Sequence, residues 1–166
     1  MKSNQLKVKL KTKDKKIYEV PIDLCKKVKF ISWLVEQACE EKKIILLREV
    51  EAKEFEKVLD YLRHYKNFEP KKIPRPFPER TDENFLRSVL NDEWTFNFLN
   101  NLSIEDAINM INAANYLQID GLIKILSAKL GYELTNCSVE EATQKFQRPD
   151  DLTPEEIEEY DKYPLD

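Results

Sequence analysis

Cys25, Cys39, Cys137 and His64 are the side chains of this sequence best suited to nucleophilic or metal chemistry. A reactive thiolate needs a positive pocket or a base beside it, and a structural zinc needs four ligands at short, regular spacings. Neither pattern is present. The cysteines stand far apart with no C-x-x-C pair, and they are odd in number. His64 lies in the charged end of a helical stretch with no nearby partner that completes a Ser/His/Asp or Cys/His set; it reads as a surface or helix-end residue, with distant partners left open. Gly121 and Gly131 are the only glycines, so no loop can cradle a phosphate with its backbone amides. The expectation is a chain without catalytic residues, metal or cofactor.

The composition points instead to protein partners. Of 166 residues, 42% are hydrophobic and 35% charged, with a net charge of −4. Counterion release from nucleic acid needs clustered basic residues, which this balance does not favour. The basic N-terminal third and the acidic tail read as solvated faces. No apolar run reaches the ~18 residues of a membrane span, and "MKSNQLKVKLKTKDKK" lacks the apolar core of a secretory signal. Unpaired cysteines suit a reducing compartment, so the expected location is cytosol or nucleus.

The elements that must position any binding residue follow from periodicity. "LKVKLKT" alternates with a period of two, "KDKK" turns, "IYEVPI" returns, and Ile44–Leu47 is a third short strand. "DLCKKVKFISWLVEQACEEK" and "EAKEFEKVLDYLRHYKNF" carry helical spacing. Residues 66–92 hold Pro70, Pro74, Pro76 and Pro78 and predict an exposed, extended, proline-rich basic insertion, with "NFLRSVL" as a short helix within it. "PRPFP" reads as a passive loop. Beyond it the chain turns helical. Ser103 and Asp106, Ser138 and Glu141, and Thr153 with Pro154 and Glu156 are start signals, and Asp120 is the expected cap of the helix that follows it.

Two helices have unusual faces. At ~100° per residue, Ile104, Ala107, Ile108, Met110, Ile111, Ala114 and Leu117 share a broad arc. Asn115 falls at its rim and Tyr116 among the polar residues. Either the helix ends there and Tyr116 folds back onto the connection, or a partner covers it. In the next helix Leu122, Ile125 and Leu126 form one stripe. Ile123, Leu130 and Leu134, with Ser127 between, form a second, which needs another layer. The terminal helices or a partner would supply it, with Val139, Ala142, Phe146, Ile157 and Tyr160 helping to line a groove.

At "AANYLQIDGL" and "SVEEATQKFQRPDDLTPEEIEE" the chain resembles the S-phase kinase-associated protein family, the adaptor subunits of cullin–RING ubiquitin ligases. The resemblance covers nearly the whole chain and fits the related elongin C proteins less well. It implies an α+β BTB/POZ fold, a small sheet flanked by helices. Residues 1–65 and 93–130 would be its two halves, 66–92 the variable loop, and 131–166 a C-terminal extension that clasps an F-box. It also implies that Asn115 and Tyr116, with Ile111, face a cullin. Ile123, Ser127, Leu130, Leu134, Val139, Phe146, Leu152, Ile157 and Tyr160 would face the F-box.

The chain departs from the family pattern in three places. Val139 stands where a proline is frequent, "YDKYPLD" carries no tryptophan, and the loop is basic rather than acidic. Two functions follow: a non-catalytic adaptor between an F-box protein and a cullin, or a structural subunit holding one F-box-like protein in a stable non-ligase assembly. The second stripe also predicts weak self-association of the free chain.

Overall fold

The computed structural model describes residues 7–37, 44–67, 69–70, 73, 87, 90, 92–135 and 137–146. They fall into two compact units that divide between residues 136 and 137. The first begins with β1 (Lys7–Lys11) and β2 (Ile17–Pro21), joined through a turn at Lys13–Lys15. Next come α1 (Ile22–Cys25), α2 (Lys29–Gln37), β3 (Ile44–Leu46) and α3 (Ala52–His64). α4 (Glu93–Asn100), α5 (Ile104–Tyr116) and α6 (Asp120–Thr135) complete it.

The sheet has the order β2-β1-β3, with β1 antiparallel to β2 and parallel to β3. Opposite Leu10 stand Tyr18 on one side and Ile45 on the other, so the period-two pattern sends Leu10, Val20 and Ile45 inward. The lysines of β1 face out, and Glu19 pairs with Lys7 and Lys9 at 3.7 and 3.9 Å. The same core cluster holds Phe55, Val58 and Leu62 of α3, Phe96 and Leu99 of α4, Met110 of α5, and Leu117 at the end of α5. Leu122, Ile125 and Leu126 of α6, all essentially inaccessible, complete that core.

Helices form where local caps allow. The Asp92 carboxylate accepts from the Thr95 amide to start α4, and Ser103 accepts from Asp106 at 3.0 Å to start α5. α3 is capped from a distance: Glu51 gives no side-chain cap, and the Ala52 amide donates to Asp14 of the hairpin turn at 3.1 Å.

Several expectations need correcting. The stretch from Leu24 to Ala38 is not one helix; it breaks at Lys26–Val28, and the break lets Leu24, Cys25, Val28 and Ile31 all reach the core. Asp120 is the first residue of α6 rather than its cap; its carboxylate lies 3.3 Å from Lys29. The insertion is not exposed throughout, because Ile73 packs against the core and Leu90 is buried. "PRPFP" and most of "NFLRSVL" lie outside the described residues.

The second unit contains α7 (Val139–Phe146). Here the capping box is reciprocal: the Ser138 amide donates to Glu141 at 3.0 Å and the Glu141 amide to Ser138 Oγ at 3.2 Å. The start signal at Thr153–Glu156 lies outside the described residues. α6 itself continues past residue 130 to Thr135.

Candidate functional site

The only histidine is structural. His64 stacks on Trp94, 4.0 Å between ring centres, and its Nε2 lies 2.7 Å from Asp92 Oδ2. Thr95 Oγ1 donates to the same Asp92 oxygen, so Asp92 stands between histidine and hydroxyl. A nucleophile must be reachable by a substrate; the Thr95 hydroxyl is buried. Cys25 is buried too, and burial pushes its thiol up to about 11, away from thiolate chemistry. Cys39 lies outside the described residues. Among the described residues no cluster of three or more potential ligands could hold a metal, and no helix is long and apolar enough to cross a membrane.

Two helix faces remain open. On α5 the tightly buried residues are Ala107, Met110, Ala113 and Ala114, with Leu117 buried just past its end. Small alanines mark this face because they let α3 and α6 approach closely. The arc is therefore centred near Met110, rotated away from Ile104. Ile104 and Ile108 are half-buried at its edge, Ile111 packs partly against the core, and Asn115 continues their stripe as an exposed residue.

Of the two readings of Tyr116, the helix end fits: α5 stops at this residue and its ring turns inward. It is half-buried, its ring 4.8 Å from that of Phe30 on α2, with the Arg48 amide 3.4 Å from its hydroxyl. Asparagine is the wet residue of the pair and tyrosine the partly dry one. The wheel misplaced them because its arc was centred one quarter-turn away. Helix periodicity did not identify Ile104 and Ile108 as edge residues of the buried arc; their spacing of four and then seven residues to Asn115 was the available signal.

What holds Asn115 and Tyr116 in place is the end of α5. The Ile119 amide donates to Ala114 O at 2.9 Å and the Gln118 amide to Asn115 O at 3.0 Å, with Gln118 at φ 57°. This is a Schellman ending built on a glutamine instead of a glycine. It turns the chain directly into α6. Gly121 then passes Tyr61 so closely that a Cβ would lie 2.5 Å from its hydroxyl and 3.1 Å from Pro70.

On α6 the second stripe is open as well. Ile123 and Leu130 are half-buried, Ser127 is exposed and Leu134 is 45% exposed. One residue of this helix escaped the sequence reading. Lys129 is buried on the core side, its ammonium 2.8 Å from Glu133 one turn on. Of the tail positions, Phe146 is half-buried, the side chain of Val139 is not described, and Leu152, Ile157 and Tyr160 lie outside the described residues.

Comparison with known proteins gives the family. The family model described as "Skp1 family, tetramerisation domain" matches residues 6–67. The S-phase kinase-associated protein 1 homolog of Tetrahymena thermophila is 31% identical over 156 residues, 94% of this chain and 90% of the relative. The chain belongs to the Skp1 family. Its small sheet and packed helices are a Skp1-type POZ fold. SKP1-like protein 18 of Arabidopsis thaliana is 28% identical over 162 residues, 98% of this chain and 95% of the relative. The SCF ubiquitin ligase complex protein SKP1a of Dictyostelium discoideum is 28% identical over 158 residues, 93% and 91%. These alignments span both open helix faces.

Proposed function

We propose that this chain is a non-catalytic adaptor that joins an F-box protein to a cullin in an SCF-type ubiquitin ligase. The observation that carries the reading is the pair of partly exposed apolar faces on successive helices. One is Ile104, Ile108, Ile111 and Asn115 with the edge of Tyr116; the other is Ile123, Ser127, Leu130 and Leu134. An adaptor needs two surfaces that can be filled at once. The Dictyostelium relative's name places that protein in an SCF ubiquitin ligase complex, which supports the same assembly for this chain. The α5 face is assigned to the cullin and the α6 stripe to the F-box. Val139, Phe146, Leu152, Ile157 and Tyr160 are assigned to the F-box on the family resemblance alone.

The test is reconstitution of the full chain with an F-box peptide and with the N-terminal domains of the source organism's cullins. Binding of both, separately abolished by Leu130→Glu with Leu134→Glu and by Asn115→Lys with Tyr116→Lys, supports the adaptor. An F-box complex that binds no cullin would instead identify a subunit of a non-ligase assembly.

A further inference from the structure

Beside Asn115 the surface falls into a cleft of about 570 Å³. One wall is α5, with Asn109, Asn112 and Tyr116; the other is the start of α3 and the turn before it, with Glu49, Glu51 and Glu54. Three carboxylates face one ammonium, Lys13. Among the described residues none of the three glutamates forms a salt bridge within 4 Å, although lysines stand near. Lys53, adjacent to Glu54 in sequence, is held 2.5 Å from Asp106, and Lys57 also turns to Asp106. Glu54 Oε2 is buried and accepts no hydrogen bond. A buried carboxylate oxygen without a donor is unfavourable and is relieved when one arrives.

Tyr116 is the shared wall between this cleft and an apolar patch. Its other side packs on Phe30, and Trp33, one helical turn along α2, is 56% exposed. One buried acceptor without a donor, Glu54 Oε2, and two exposed carboxylates thus lie on one side of the tyrosine and an exposed indole on the other.

We infer that the partner segment covering Asn115 and Tyr116 inserts an arginine into the Glu49–Glu51–Glu54 cleft and lays a bulky apolar side chain against Trp33 and Phe30. Arginine fits the cleft better than lysine because its five N–H groups can serve several carboxylate and amide oxygens at once. The indole offers the large, low-entropy contact area typical of binding hot spots. This inference deepens the cullin reading and rests on it, since the occupant is the segment proposed to lie over Asn115.

The test measures calorimetric affinity of the full chain for the source organism's cullin N-terminal domain at low and high salt. Circular dichroism confirms that each variant is folded. Glu49→Gln with Glu51→Gln and Glu54→Gln should weaken binding by about tenfold or more at low salt and flatten the salt dependence. Trp33→Ala should weaken it by about tenfold at both. Neither should alter binding of an F-box peptide. Wild-type affinity and salt dependence in the triple variant would overturn the inference while leaving the cullin reading intact.

If no cullin binds the native chain, the cullin reading fails, and a peptide experiment decides the surface chemistry. In a Trp94→Phe background, Trp33 fluorescence is titrated with a short helical peptide carrying arginine beside a leucine–phenylalanine pair. A saturable shift, lost when glutamate replaces the arginine or when the three glutamates are changed to glutamine, supports the inference. No shift with either peptide overturns it.

Discussion

The ring of Tyr116 rests against that of Phe30, 4.8 Å between centres and 59° between planes, so the last residue of α5 is held by α2. These elements are far apart in sequence, and the contact fixes which part of the tyrosine meets solvent. Phe30→Ala should therefore act at two levels. Loss of the half-buried ring and its tilted stacking should cost about 1–3 kcal/mol, read from urea unfolding. It should also weaken any partner bound over Tyr116, whereas Phe30→Leu should recover most of the stability. Unchanged stability in Phe30→Ala would show that Tyr116 is positioned by α5 alone.

The two stripes of α6 predict opposite responses to the same substitution. Leu126 has no accessible surface, and Leu126→Glu would place a carboxylate in the core, at a cost of several kcal/mol. The free chain should not fold. Leu134 is 45% exposed, so Leu134→Glu should stay within about 0.5 kcal/mol of wild type. It should nevertheless lose F-box binding, as an unpaired charge enters a dry interface. Leu134→Glu unfolding the free chain would mean that the stripe is sealed within the monomer.

Much of this was legible in the sequence, and the failures share a cause. Strand positions followed from the alternation of Leu6, Val8 and Leu10, and the α7 cap from Ser138 and Glu141, because both signals are local. The openness of Leu134 followed from counting stripes on one helix. The orientation of α5 did not, because periodicity gives an angle only relative to a chosen zero, and the packing of Ala107, Ala113 and Ala114 against other helices sets that zero. Nor did the role of His64 follow, since Asp92 and Trp94 reach it across the whole insertion. The acidic cleft pairs the α3 entry with α5, and no sequence window contains both.

Acid should loosen the junction between α3 and α4. Burial alone would push the Asp92 carboxyl up, but hydrogen bonds from Thr95 and His64 outweigh it and hold the group below its ordinary value. A carboxylate lowered in the folded state contributes stability that is fully present above its unfolded value, about 3.9. That contribution is lost as pH falls through the lower folded value. Asp92→Asn should be less stable than wild type at neutral pH and should lose less stability on acidification below about pH 4. Parallel acid-unfolding curves for the two proteins would show that Asp92 is not coupled to folding.

The end of α5 offers a stabilising change. Gln118 sits at φ 57°, a left-handed conformation that costs a residue with a Cβ roughly 1–2 kcal/mol relative to glycine. Glycine is free of that strain but loses more backbone entropy on folding, an offset of about 0.5–1 kcal/mol. Gln118 is exposed, so the substitution removes no core contact. Gln118→Gly should then raise stability by about 0.5–1 kcal/mol, a rise of roughly 2 °C in melting temperature for a chain of this size. Gln118→Val should lower it, because a β-branched side chain tolerates this region poorly. The same turn carries Asn115 and Tyr116 one residue from its start. A relaxed Schellman ending should therefore leave partner affinity unchanged or slightly tighter. A loss of stability in Gln118→Gly would show that the glutamine side chain contributes a contact outweighing its backbone strain.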